Sequence, residues 1–163
     1  MKPEIKERVE RIRKSEVPEG FKKTKVEIYS EDWTLNKLSK ITDVRDGTHE
    51  SPKYVSEGIP FITSKNLLGN RIDWQTINYI TEKDHLNFSK RSKVDDGDIL
   101  FGMIGTIGNP TLVKKEFDFS IKNVALIKFE NSEINNIYLL NVLKSNLINQ
   151  NIPKTTFHHT LKF

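Results

Sequence analysis

The chain has 163 residues, 26 Lys+Arg against 22 Asp+Glu, 29% charged residues and no cysteine. That is the size of one domain with an appendage, and the missing cysteine excludes disulfide frameworks, cysteine-based zinc sites, iron–sulfur clusters and thiol catalysis. The apolar run from Ile99 to Ile104 contains Gly102 and is far shorter than the roughly 20 residues that span a bilayer, and the N-terminus is charged from Lys2 onward. The expectation is a cytoplasmic protein without a membrane partner.

Charge is uneven along the chain. Residues 1–30 hold nine Lys/Arg and six Glu, and residues 141–163 hold Lys144, Lys154 and Lys162 with no acid. Both ends are therefore basic while the middle is slightly acidic. In chain order, Ile5, Val9 and Ile12 lie on one narrow helical face over residues 3–14, and Val17-Pro18-Glu19-Gly20 closes that helix as a linker. This divides the chain into a charged helix with linker, 1–20, and a domain, 21–163. Leu35, Leu38 and Ile41 predict a short helix running into a strand near 41–44. Asp46-Gly47 opens a polar loop that closes at Gly58. Strands follow at 60–63 and, by spacing, over 71–80. Thr81 with Asp84 forms a short capping box for a helix over 82–90, which ends in Lys90, Arg91 and Lys93. After the Asp96-Gly97 turn, Ile99-Leu100-Phe101 reads as a central strand. Asn109-Pro110 forbids a regular strand where it stands. Val124 to Phe129 is a further continuous apolar strand, and Ile137, Leu140, Leu143 and Leu147 predict a helix over 134–149. Without βαβ alternation the pattern points to α+β: a mixed, mainly antiparallel twisted sheet with flanking helices.

Catalytic constellations are not found. Gly102, Gly105 and Gly108 are spaced by three, unlike a Gly-x-Gly-x-x-Gly phosphate loop, and fit a tight hairpin better. Asn109-Pro110-Thr111-Leu112 lacks the second proline and the aromatic ring of an amine-methylating loop. Asp43, Asp46, Glu116 and Asp118 offer no acid-x-lysine pair for a metal-dependent nuclease and read as surface acids. His158 and His159 are adjacent and diverge on either a strand or a helix, while His49 and His85 have no carboxylate at a telling spacing. No Gly-x-Ser-x-Gly elbow is present. The expectation is no catalytic residue, no metal and no cofactor.

By elimination the chain reads as a binder. Its loops combine basic, amide and hydroxyl groups: Arg45, His49 and Lys53; Thr63 to Asn66; Lys90, Arg91 and Lys93; and Lys154 to Thr156. Lysine and arginine attract phosphate regardless of sequence, whereas asparagine and arginine can pair with base edges. The candidate DNA contacts are Arg45, His49, Lys53, Lys65, Asn66, Lys90, Arg91 and Lys93. Against this, Asn66 could cap its own turn, and Lys90 to Lys93 could be a solvated helix end.

The order of four stretches resembles a target recognition domain of a type I restriction-modification specificity subunit. These are Trp33 with Lys37-Leu38-Ser39-Lys40-Ile41 and Arg45-Asp46-Gly47-Thr48-His49; Gly58 to Leu67; Gly97-Asp98-Ile99-Leu100-Phe101 followed by Gly105-Thr106-Ile107-Gly108; and Tyr138 through Ser145. The resemblance spans roughly residues 33–163. It implies a non-catalytic domain that reads one half of a split site in double-stranded DNA. It also implies methyltransferase and restriction subunits as partners, docked through long spacer helices. Thr160-Leu161-Lys162-Phe163 stands where the family's proline-rich turn and spacer would begin, so the chain resembles half a specificity subunit, for which a second half-subunit is a further partner. The alternative is an interaction module that docks a methyltransferase or a second such chain without binding DNA alone.

Overall fold

A computed structural model describes residues 1–24, 27–130, 132–146 and 148. The chain forms two compact units, Met1–Asn36 and Lys37–Phe163. The first contains α1 (Pro3–Arg13) and a hairpin of β1 (Phe21–Lys23) and β2 (Ile28–Ser30), paired antiparallel. Pro3 at the first helical turn and Arg11 and Arg13 in the last suit the helix dipole, and no α1 residue is buried.

The second unit holds α2 (Leu38–Ile41), β3 (Asp43–Asp46), β4 (Ile59–Thr63), a 3₁₀ turn (Ser64–Asn66), β5 (Asn78–Ile80), α3 (Glu82–Ser92), β6 (Ile99–Gly102), β7 (Gly108–Leu112), β8 (Ser120–Lys122), β9 (Val124–Lys128) and α4 (Asn136–Lys144). The fold is α+β, as the residue pattern predicts, with its strands divided between two sheets. One is antiparallel in the order β3-β9-β6-β7; the other runs β5-β4-β8, with β4 and β8 parallel.

Alternation of side chains builds the layers. On β6 and β9, Leu100, Val124 and Leu126 face Ile62 of β4 and Ile121 of β8, forming the core between the sheets. On the opposite face Ile99, Phe101, Ala125 and Ile127 pack against Leu38 of α2 and Leu139 and Leu143 of α4. Phe61 turns the other way from Ile62 and stacks on Phe88 of α3, with ring centroids 5.8 Å apart. Because β6 and β9 are covered on both faces, they read as unbroken apolar runs. Each fully buried Ile, Leu or Phe contributes about 1.5–3 kcal/mol of transfer free energy before entropy is counted.

Helix α3 begins as its sequence signals: the Thr81 hydroxyl accepts from the Asp84 amide at 3.1 Å. Asn135 caps α4 in the same way, accepting from the Tyr138 amide at 3.0 Å. Described helix α4 is shorter than the predicted 134–149, and part of that span lies outside the described residues.

Two predictions are corrected. Asn109-Pro110 lies inside β7, because β7 is an edge strand where a missing N–H costs no ladder bond, and a register shift against β6 absorbs the irregularity. The segment 71–80 is a strand only at its end. Asp73 instead makes an Asx turn, its carboxylate accepting from the Gln75 amide at 3.0 Å and the Thr76 hydroxyl at 2.7 Å. Trp74 from this turn packs edge-on against Phe117 and Phe119.

Candidate nucleic-acid interface

The strand registers define two ends of the second unit. Asp46 of β3 pairs with Ala125, Gly102 of β6 with Val124 and Gly108, and Thr63 of β4 with Lys122. The loop after β3, the turn after β4, the β6–β7 turn and the β8–β9 junction therefore all emerge at one end.

Asn123 is the hub of that end. It is the single residue between β8 and β9, and so the point at which the chain passes from one sheet to the other. It adopts φ +55°, a conformation that asparagine tolerates better than most residues. Its backbone N–H donates to the Thr48 carbonyl at 3.1 Å, and its carbonyl accepts from the Ser64 hydroxyl at 2.8 Å and the Met103 amide at 3.3 Å. Its side-chain oxygen lies 2.8 Å from His49 Nδ1. Three other loops are thus tied to one residue.

Close backbone approach holds them there. The Gly47 amide donates to Val124 at 2.8 Å, and a Cβ on Gly47 would stand 2.8 Å from the Ile121 carbonyl oxygen. A Cβ on Gly102 would overlap the Thr106 carbonyl oxygen and press on Ser64. Both glycines are needed for approach, and neither is a phosphate loop residue by spacing.

Of the eight sequence-predicted contacts, His49 and Lys65 come together at this end and are exposed, and Lys53 is exposed on the same loop as His49. Lys53 and Lys65 take no hydrogen-bond or ion-pair partner among the described residues, and Glu50 and Glu57 are acids of the loop that carries His49 and Lys53. Lys122, which the motif reading passed over, joins them: half-buried on β8, it donates to the Ser51 hydroxyl at 2.5 Å. Sequence offered little signal for Lys122 or Asn123, since their importance arises from the crossing between sheets.

Asn66 is placed differently. It is buried, its side-chain oxygen accepts from the Thr63 amide and hydroxyl at 2.9 Å each, and its amide nitrogen donates to the Thr76 carbonyl at 3.3 Å. Its polar atoms face inward and stiffen the turn that presents Lys65.

The remaining basic candidates are paired with acids or lie on another face. Arg45 bonds Asp43 along its own strand, Nε at 2.8 Å, and this hydrogen bond raises the guanidinium above its ordinary range. Arg91 sits 3.8 Å from Asp46, and Lys93 3.3 Å from Asp95. Lys90 lies exposed on α3, in a shallow cleft with Glu82, Asp84 and Leu86. At the opposite end of the β3–β9 ladder, Lys128 is buried and donates to Asp95 at 2.7 Å, Asp98 at 2.9 Å and the Lys93 carbonyl at 3.2 Å. The hydrogen bond from Lys128 holds Asp95 below the usual carboxylate range, whereas burial pushes Asp98 up. Glu130 shares a cleft of about 570 Å³ with this cluster. That end is mixed or acidic, not cationic.

The acids considered for nuclease chemistry are dispersed into ion pairs: Asp43 with Arg45, Asp46 with Arg91, and Asp118 with Lys115 at 2.6 Å. His85 is half-buried, its Nδ1 2.8 Å from the Ser120 hydroxyl. Lys154 to Thr156, His158 and His159 lie outside the described residues.

Residues 30–162 match the family model of the type I restriction modification DNA specificity domain. The chain belongs to that family. Among its relatives is the type I restriction enzyme MjaVIII specificity subunit of Methanocaldococcus jannaschii, 26% identical over 85 residues, covering 52% of this chain and 20% of that protein. A second sequence from the same organism, designated a type I restriction enzyme MjaX specificity subunit, is 28% identical over 132 residues, covering 77% of this chain and 31% of the relative. In fold, the specificity domain is similar to the crystal structure of the HsdS subunit from Thermoanaerobacter tengcongensis. That likeness has a TM-score of 0.51 at 14% identity and covers 86% of this chain and 34% of the other. The chain thus spans about a third or less of each of these proteins. No described helix is long and apolar enough to cross a membrane.

Proposed function

We propose that this specificity domain reads one short half-site in double-stranded DNA, with the loop-bearing end of its two sheets as the contact surface. The observation that carries this reading is the gathering of His49 on the loop after β3, Lys65 on the turn after β4 and Lys122 at the end of β8 around Asn123, with Lys53 exposed on the same loop as His49. Cationic side chains on rigid loops meet the two needs of such a surface, phosphate attraction and fixed register. Asn66 serves there as a support. Arg45, Arg91 and Lys93, already matched by acids, contribute little, and Lys90 is a peripheral phosphate contact.

The domain, within residues 21–163, supplies specificity and performs no chemistry itself. It directs methyltransferase and restriction subunits in the cytoplasm, and it completes a split site together with a second specificity half. Residues 1–20 are a charged helix and linker. No cofactor enters the reading.

Selection of a randomised duplex pool by the purified chain at fixed low salt tests this function. Enrichment of one short motif, with affinity falling as salt rises, is the expected result. Absence of any retained motif, together with a tight complex with a methyltransferase subunit, would overturn it in favour of a docking module.

A further inference from the structure

We propose that His49 is a base-reading side chain of this surface, that Asn123 is its positioning residue, and that the neighbouring lysines supply phosphate attraction without reading sequence. The inference rests on the DNA reading above and adds a division of labour within it.

Reading a base edge requires a donor or acceptor held in a fixed direction, because discrimination comes from geometry. Lys53 and Lys65 are long, exposed and unpaired among the described residues, so they act as movable point charges. His49 is the exception at this end: it is exposed, yet its ring is anchored through Nδ1 to the Asn123 side-chain oxygen at 2.8 Å. Asn123 cannot easily turn away, since its backbone N–H and carbonyl are bonded to Thr48, Ser64 and Met103 and its φ is left-handed. A carbonyl oxygen at Nδ1 places the ring proton there and leaves Nε2 of the neutral imidazole as an acceptor. Nε2 has no partner among the described residues. The matching group on DNA is the exocyclic amino group that adenine or cytosine presents in the major groove.

The test uses the full chain in duplex selection, followed by binding of the enriched duplex at several salt concentrations. H49A is expected to lose most of a roughly tenfold preference at one base pair while keeping the salt dependence of the wild type. K65A is expected to keep every preference and to lose about one unit of salt slope. N123G, which tolerates the left-handed backbone, should relax the same position as H49A, and the double variant should relax it no further. Replacing the amino-bearing base at that position by an analogue without the exocyclic amine should weaken the wild type about tenfold and leave H49A unchanged.

An H49A protein that selects the wild-type motif would overturn the base-reading role and leave the DNA reading standing. Relaxation of a different position by N123G would overturn the positioning role. Equal binding of the amine-free duplex by the wild type would overturn the acceptor assignment. Failure of the wild type to select any motif would overturn the inference and the DNA reading together.

Discussion

Asn66 and Lys65 are neighbours with opposite fates. One turn of 3₁₀ helix sends Lys65 into solvent and turns Asn66 inward onto Thr63 and Thr76. Removing a buried amide that satisfies several partners leaves them unpaired, so N66A is expected to lose about 1–3 kcal/mol in urea unfolding and to weaken DNA binding per folded molecule less than K65A does. Lys128 presents the same issue for charge. Lys128 is shared by Asp95 and Asp98, so deleting the lysine strands the buried Asp98, and K128A is expected to destabilise by about 3–5 kcal/mol in the same assay. Its neighbour Asp95 sets a pH dependence. Bonded to Lys128, its folded-state pKa lies below the unfolded value, so its contribution is present above pH ~4 and is lost as pH falls through the lower folded value. Asp98, pushed up by burial, has the opposite sign and loses its contribution as pH rises through its raised value. The drop in wild-type stability from pH 5 to pH 3 should therefore shrink in D95N. An identical drop in both proteins would remove Asp95 as a source.

At the scale of elements, capping and close approach decide where segments begin and turn. Thr81 starts α3 by accepting from Asp84, and T81A should cost about 1 kcal/mol without changing the fold seen by circular dichroism. Gly102 answers a different demand, since any Cβ there collides with backbone at the β6–β7 turn. Because the obstacle is a carbonyl and not a flexible side chain, G102A is expected to cost more than T81A and to disturb the Thr106 loop. Strands β6 and β9 and helix α3 were legible in the sequence because each carries a local signal: an apolar run buried on both faces, or a capping Thr81 three residues before Asp84. The segment 71–80 misled because Ile72, Trp74 and Ile77 have strand-like composition while Asp73 bonds its own turn. Pro110 misled in the other direction, since tolerance of proline depends on whether a strand lies at an edge, which is a property of the sheet.

Across the whole molecule, the basic residues divide by sheet end and by partner, not by local density. The cluster Lys90, Arg91 and Lys93 holds three basic residues within four positions, yet Arg91 and Lys93 face Asp46 and Asp95. Lys65 and Lys122 are far apart in sequence and share one end. Exposed ion pairs contribute little to stability and partly neutralise the cation toward phosphate. K93A is therefore expected to change duplex affinity less than twofold at low salt, whereas the double variant K65A/K122A should lower it about tenfold or more. Equal losses in a filter-binding titration would place the contact surface elsewhere.

Composition and pattern by themselves determined the absence of cysteine chemistry, the α+β class, most elements of the second unit and the motif order of a specificity domain. These depend on residue type and short-range spacing, which a single chain displays directly. Only the tertiary structure decided that Asn66 faces inward, that Lys128 and Asp98 form a buried pair, and that His49 is anchored to Asn123. Asn66 bonds within its own turn and to Thr76, whereas the other two depend on strand register and on the switch between sheets at residue 123, which bring together side chains 30 and 74 positions apart. Spacing along the chain carries no record of such meetings.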